Sequence, residues 1–377
     1  MKKGLMIVLI LMLMVGMFAA CGNNAAPPAA TPETPAAETP AAETPAVTPD
    51  DNAGGKYKIA LSNAYMGNDW RQIMIKVLEV VASKEPYASR VDLTIVNSEP
   101  TPEAQAASID ILAEQGYDAL LINCSSNTAL NPAIDRALAA GAIVVTFDSV
   151  ADHPDVYKIA TNYEENGKGW AKFLTEQLPA GSKIAVDTGN PGFTHGNITY
   201  EAAMAVFDEA GIEVVAEFAS EWADGVGQQQ IGAVLAANPN LDGMMTQCFG
   251  ETMAAAFAQA GRDLIPGTGY ITNAGQLAAL DNNMSYLIVN TPPGQVAMAL
   301  ETAFRVLEGE SVALDNIFTP LFYAIPEYTD INIGFPIVPI EEGVTAFRDL
   351  PGSLNWPVLP PDFVPQVTIE EVADYAM

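Results

Sequence analysis

The chain has 377 residues, too many for one ordinary core, so two domains are expected. Its 46 acidic residues against 16 basic ones give a formal charge of −30. A body this acidic repels phosphate backbones, and no basic stripe offsets it, which excludes nucleic acid as a partner. The same charge gives no help with anionic solutes and chiefly favours solubility.

The chain opens on MKKGLMIVLILMLMVGMFAAC: two lysines, an apolar run, then small residues before Cys21. Residues 1–20 therefore read as a secretory signal. The ending FAAC resembles a bacterial lipobox, implying cleavage before Cys21 and a lipid on its thiol. Loss of Lys2 and Lys3 would leave the mature chain two charges more negative. An ordinary signal peptide or an uncleaved anchor would make Cys21 incidental, but the polar GNN that follows favours the lipoprotein. Residues 21–55, dominated by repeated Ala, Pro, Glu and Thr, have almost nothing to bury and read as an extended tether. Lipid and tether together would anchor a soluble body to a membrane while holding it off the surface, outside the cytoplasm.

The body alternates strands and helices. The apolar run Tyr57–Leu61 is a buried strand, and a helical pattern starts at Trp70 after the turn SNAYMGNDWRQ. Strand VDLTIVN, helix PEAQAASIDILAEQG, strand DALLINC, helix LNPAIDRALAAG and strand AIVVTFD follow. A second series runs KGWAKFLTEQLPAG, KIAVDTG, ITYEAAMAVFDEAG, IEVVAEFA, GQQQIGAVLAANP, DGMMTQC and TMAAAFAQAG, then weaker strands near 269–272 and 286–289. Short apolar strands between amphipathic helices with glycine ends mean βα units, and two series mean two doubly wound α/β lobes with parallel sheets. The expected division is 56–160 plus 291–318 for lobe 1 and 161–290 plus 319–345 for lobe 2. Residues 346–377 form a Pro-rich tail to which the sequence assigns no role.

Ligands in such sheets sit beyond the carboxyl ends of the strands, and those ends are polar here. Asn68, Trp70 and Arg71 follow the first strand, Asn123 ends ALLIN, and Asp148 ends IVVTFD. In the second series Trp222 follows VVAEFASE, Gln247 ends GMMTQ, Asn273 follows GYIT, and Asn290 ends YLIVN. The turn after the first strand is thus expected to be one wall of a binding cleft. Each residue also has a plainer use. Asp148 could cap a segment, Asn123 and Asn290 could be turn residues, Trp70 and Trp222 could be core, and Arg71 could pair within its lobe.

Enzymatic chemistry finds little support. The two histidines, His153 and His195, sit in no metal spacing and read as surface or structural residues. There is no G-x-x-x-x-G-K-[ST], G-x-S-x-G or C-x-x-C. No catalytic residue, metal or cofactor is expected. Apart from Cys21 the cysteines are Cys124 and Cys248, one per lobe; two free thiols are expected, although a bridge across the cleft stays open.

From Lys56 to Gly309 the chain resembles the type I periplasmic-type substrate-binding proteins of the ribose/galactose class, receptors of sugar ABC transporters. Five stretches carry the likeness, in the family's order: NDW, DILAEQGYDALLIN, AIDRALAAGAIVVTFDS, LAANPNLDGMMTQ and AFAQAGR. The resemblance implies two lobes joined by three crossovers, closing on a ligand by hinge motion. It places Asn68 and Trp70 against a sugar, with Arg71 fitting less well, Asn123 as a polar contact, and Asp148 accepting from two hydroxyls. Trp222 would close over the ring, with Asn273, Asn290 and Gln247 supplying amides. Two features depart from the family: Ser149 stands where arginine is common, and Thr199-Tyr200-Glu201-Ala202 replaces the usual Arg-x-x-Gly. The charged contact, and with it the exact sugar, is left open.

Sugars offer hydroxyls at the rim and C–H faces, so amides, carboxylates and rings suit them, and Trp70 and Trp222 could sandwich one. The expected protein is a monomeric, lipid-anchored extracytoplasmic receptor that passes a small neutral sugar to an ABC permease. Alternatives are a signalling or chemotaxis receptor, a receptor for a nucleoside, polyol or furanosyl signal molecule, an enzyme on this scaffold, and a surface adhesin.

Overall fold

The computed structural model describes residues 55–191, 193–325, 359, 362–368 and 371–372. The expected leader, Cys21, the tether, residues 326–345 of the expected second lobe and most of the tail lie outside the described residues.

The elements of the first lobe are β1 (Tyr57–Asn63), α1 (Asp69–Ala82), α2 (Tyr87–Arg90), β2 (Val91–Asn97), α3 (Pro102–Glu114), β3 (Ala119–Asn123), α4 (Asn131–Ala139), β4 (Ile143–Phe147) and β5 (Tyr157–Thr161). The chain then builds α5 (Tyr163–Gln177), β6 (Lys183–Asp187), α6 (Thr194–Ala210), β7 (Glu213–Phe218), α7 (Asp224–Ala237), β8 (Gly243–Met245), α8 (Gly250–Ala260), β9 (Gly267–Tyr270), α9 (Asn273–Asp281) and β10 (Tyr286–Asn290). It returns with α10 (Gln295–Leu307) and β11 (Asp315–Phe318), and crosses again to β12 (Leu321–Ile325). One six-stranded sheet has the order β11-β5-β4-β3-β1-β2 and the other β12-β10-β9-β8-β6-β7. Every pairing is parallel except β10 with β12, so the second sheet carries one antiparallel edge strand.

The strand register explains the layers. In β3, Ala119 and Leu121 face α1 and α10, whereas Leu120 and Ile122 face α3 and α4 with Ile109, Leu112, Ile134 and Ala137. In the second sheet, Ile184, Val186, Met245, Leu287 and Val289 pack on Trp170, Leu174 and Phe207 of α5 and α6. Residues of opposite parity, such as Met244 and Ile288, join Ile231, Met253 and Phe257 of α7 and α8. Burial on both faces is why these strands read as continuous apolar runs.

Caps fix the helix starts beside the strand ends. Asn68, Thr101, Asn162 and Thr272 each accept a backbone N–H three residues on, at α1, α3, α5 and α9. Thr272, taken from the sequence as the end of a strand, is instead the cap of α9, which moves β9 two residues earlier. Helix α6 begins at Thr194, one turn before the expected start, and this brings His195 into its first turn. Gly167 lets α5 and α6 approach closely, since a Cβ there would lie 2.0 Å from the Thr199 carbonyl oxygen. Strand β5, which the sequence pattern does not mark, ends beside Asn162, where the chain first leaves the first sheet.

Among the described residues no helix is long and apolar enough to cross a membrane. Cys124 and Cys248 are free and buried, and burial pushes both thiols up, which keeps them protonated.

Candidate functional site

The strand ends of the two sheets face one cleft, with an empty volume of about 510 Å³ counted out to solvent. Tyr65, Asn68, Trp70, Arg71 and Asp148 line it from the first lobe, and Tyr163, His195, Trp222, Phe249 and Tyr270 from the second. Thr291, on the second crossover, completes the lining.

Asp148 organises the polar wall. Its Oδ2 accepts from Asn123 Nδ2 at 3.1 Å and lies 3.8 Å from Arg71 Nη2, and its Oδ1 accepts from the Tyr163 hydroxyl. Arg71 Nη1 donates to Asn63 Oδ1 at 2.7 Å. Both charged groups are almost fully buried, and they cancel one another. Burial pulls the Arg71 guanidinium down from its ordinary value, against the nearby carboxylate of Asp148, which pushes it up. Asn68 lends its Oδ1 to the backbone N–H of Arg71 at 3.0 Å. Trp70 donates its indole N–H to the Thr291 carbonyl at 2.7 Å, tying α1 to the second crossover.

The second lobe contributes rings. The His195 imidazole lies on the Trp222 indole, with centroids 4.6 Å apart and planes at 12°, and beside Tyr163 at 4.8 Å. Phe193 meets Trp222 edge-on at 5.5 Å and reaches across to Tyr65 at 6.2 Å, so the two lobes touch at the mouth of the cleft. The buried His195 Nδ1 and Trp222 Nε1 have no partner among the described residues. Burial lowers His195 to about 4, so it stands neutral.

The segment leading to Trp222, whose N–H donates to Ser220 Oγ at 3.3 Å, is anchored at Ser220 by a carboxylate that the sequence reading does not mark. Asp187, at the end of β6, accepts from the backbone N–H of Gly189 (2.9 Å), Ser220 (3.0 Å) and Gln247 (2.9 Å). It joins three strand ends at one point. Trp222 itself has φ 53, and Asp148 has φ 58. A bulky side chain in the left-handed region is a backbone outlier, and such strain collects at functional positions.

Of the nine residues expected to touch a ligand, Asn68, Trp70, Arg71, Asp148 and Trp222 line the cleft. Asn123, Gln247, Asn273 and Asn290 are buried and are not among the lining residues. Asn123 braces Asp148. Gln247 donates to the carbonyls of Asp187 (3.2 Å) and Gly196 (3.0 Å). Asn273 stands in the first turn of α9, and Asn290 ends β10 beside Thr291. Tyr65, Tyr163, His195, Phe249, Tyr270 and Thr291 were not foreseen. Tyr65, Phe249 and Thr291 adjoin marked turns, but Tyr163 follows the unread β5. His195, which the sequence reads as surface or structural, stands in the first turn of α6 and lines the cleft. His153 is structural: its Nε2 lies 3.0 Å from Asp135 and its Nδ1 accepts from the Asp155 N–H.

Among the described residues no group of three His, Cys, Asp or Glu could hold a metal ion. The geometry suits reversible capture of a neutral solute, with one polar wall, one ring wall and balanced charge.

Comparison with known proteins places this geometry. The ribose import binding protein of Bacillus subtilis (strain 168) is 26% identical over 267 residues, which cover 69% of this chain and 86% of that protein. Among solved structures, an ABC transporter solute binding protein from Thermobispora bispora DSM 43833 superposes with a TM-score of 0.65 at 28% identity. The match covers 71% of this chain and 84% of the other. A periplasmic solute binding protein of an ABC transporter from Actinobacillus succinogenes 130z, with bound D-allose, gives 0.62 at 21% identity and covers 71% and 97%. The two α/β lobes are the type I arrangement that the sequence led us to expect. Residues 59–311 match the family model described as periplasmic binding protein domain, and the chain belongs to that family.

Proposed function

We propose that the protein is the solute receptor of an ABC importer, capturing a small neutral sugar between its lobes and handing it to a membrane permease. One observation carries the reading. The Asp148–Arg71 pair of the first lobe faces the Trp222, His195 and Tyr163 rings of the second across a single cleft. Hydroxyls suit the first wall and C–H faces the second. Relatives named for ribose import, and a neighbour solved with D-allose, support a sugar over other neutral solutes. A ligand touching both walls would favour the closed arrangement by differential contact. The receptor works outside the cytoplasm as a monomer, held to the membrane through lipid on Cys21; the leader-like segment and the tether composition support that placement.

The ligand contacts in this reading are Asn68, Trp70, Arg71, Asp148 and Trp222, with Asn123 and Gln247 as braces and Asn273 and Asn290 close to the second wall. The test is a thermal-shift screen of the full chain against pentoses, hexoses, polyols and nucleosides. A sugar at a thousand times its Kd adds about 4 kcal/mol to stability. A shift with one sugar, lost in Asp148→Ala, is expected; no shift with any sugar, after denaturation and refolding to strip carried ligand, would remove the sugar from the proposal.

A further inference from the structure

Two groups of the first wall are bonded to the chain where it passes between the lobes. Trp70 donates to the Thr291 carbonyl on the second crossover at 2.7 Å. Asp148 accepts from the hydroxyl of Tyr163, the residue that follows the first crossover at Asn162. The second of these bonds joins side chains that are anchored on different lobes.

Asp148 is fixed to the first lobe. Its N–H donates to the Ile159 carbonyl of β5 at 2.9 Å, and the next residue, Ser149, accepts from the Cys124 N–H at 2.9 Å. Tyr163 is fixed to the second lobe. Its carbonyl accepts from the Thr199 hydroxyl of α6 at 3.2 Å, and its ring lies 4.8 Å from His195 of the same helix. The carboxylate is divided between the two: Oδ2 is served by Asn123 and approached by Arg71, both of the first lobe, whereas Oδ1 is served by Tyr163. Burial and the carboxylate itself push the Tyr163 phenol up, which keeps it a donor. A carboxylate held at both oxygens has one orientation, and charge-assisted bonds are the strong ones. A swing of the second lobe would carry Tyr163 away with α5, while Asn123 and Arg71 would stay.

We infer that Tyr163 is a positioning residue that acts on the solute through Asp148: its hydroxyl completes the carboxylate's donor set only when the lobes are shut, so the orientation in which Asp148 recognises a solute hydroxyl belongs to the closed form. This rests on the sugar-receptor reading given above. A solute entering the open cleft meets an Asp148 braced from its own lobe, and shutting adds the brace from the other. The gain appears in retention, so Tyr163 slows release and leaves association alone.

The test is stopped-flow binding on the full chain, followed by tryptophan fluorescence, with D-ribose, D-allose and the mono-deoxy analogues of whichever binds. Tyr163→Phe keeps the ring beside His195 and removes the hydroxyl. Asp148→Asn identifies the solute hydroxyl that meets the carboxylate, as the position whose deoxygenation ceases to matter in that variant. In Tyr163→Phe the release rate is expected to rise at least fivefold, with the association rate within twofold of wild type. The penalty for removing the Asp148-facing hydroxyl shrinks at least threefold, and the penalties at other positions hold. Asn123→Ala, which removes a brace present in both forms, is expected to slow association as well. A Tyr163 that merely packs α5 would weaken every analogue alike, and that result overturns the inference. Rates within twofold of wild type in Tyr163→Phe, or a loss confined to association, also overturn it while leaving the receptor reading intact. Failure of wild type to bind any of the sugars removes the receptor reading, and the role of Tyr163 with it.

Discussion

Tyr163 donates its hydroxyl hydrogen to Asp148, so the first residue of α5 is bound to the residue that follows β4, across the boundary between the two sheets. The contact sits where the chain first leaves the first lobe, and it ties the polar wall of the cleft to the ring wall. Tyr163→Phe removes one hydroxyl and leaves a buried carboxylate oxygen short of a donor. The expected loss is about 1–3 kcal/mol of unfolding free energy, read from urea denaturation. An unchanged midpoint would mean that the bond adds nothing to the unliganded fold.

Arg71 and Asp148 should behave as a coupled pair. Their side chains are 4% and 8% exposed, so removing either partner strands a charge where water does not reach it. Arg71→Met or Asp148→Asn alone is expected to cost about 3–5 kcal/mol. The double variant should cost less than the sum, with a coupling of about 0.5–3 kcal/mol from a double-mutant cycle. Strict additivity would show the two charges to be independent.

Much of this arrangement is legible in the sequence because the strand ends announce themselves. Apolar runs buried on both faces stop abruptly at Asn123, Asp148 and Asn290, and only a site or a turn explains polarity at such places. Residues whose function depends on another element's position are not legible in that way. Tyr163 and His195 lie on helices in ordinary patterns and become cleft residues only when α5 and α6 pack against each other. The turn into α1 shows both sides: the sequence marks Asn68 as a ligand contact, and its Oδ1 also caps the helix. Asp187 ends its strand as visibly as Asp148 does, yet its oxygens are occupied by three backbone donors, which no local pattern reveals.

Two buried groups predict opposite pH limits. Burial lowers His195 from 6.5 to about 4, so between these values the unfolded chain binds the proton that the folded chain refuses. Stability should therefore fall as pH drops from about 6.5 towards 4, by at most about 1.4 kcal/mol per unit. Glu251, which accepts from the Thr272 hydroxyl, is raised by burial from 4.5 to about 8. Its contribution is complete below about 4.5 and is lost as pH rises to about 8. His195→Phe should flatten the acid limb and Glu251→Gln the alkaline limb in melts taken across this range. Parallel curves for wild type and both variants would refute the assignment.

Gly189 turns the chain after β6 with φ 78, and a Cβ there would lie 2.8 Å from Gln247 Oε1 and 3.1 Å from Trp222 Nε1. Gly189→Ala is expected to cost about 1–3 kcal/mol from backbone strain and to displace Trp222, visible as a change in tryptophan fluorescence. Retained stability with an unmoved spectrum would show that the turn accommodates a side chain.

The crossovers between the sheets are short: Asn162 alone, Thr291 to Gly294, and Thr319 with Pro320. The first is bonded to the end of β11, where the third begins, through the Asn162 N–H and the Phe318 carbonyl at 2.8 Å. Pro292, Pro293 and Pro320 hold three of the connecting φ angles near one value. Few torsions remain free, so the lobes are coupled like two plates on a common pin. On the receptor reading proposed above, opening and shutting would then be one degree of freedom with a defined axis, and a solute would enter by a swing of whole lobes instead of a local rearrangement of the walls.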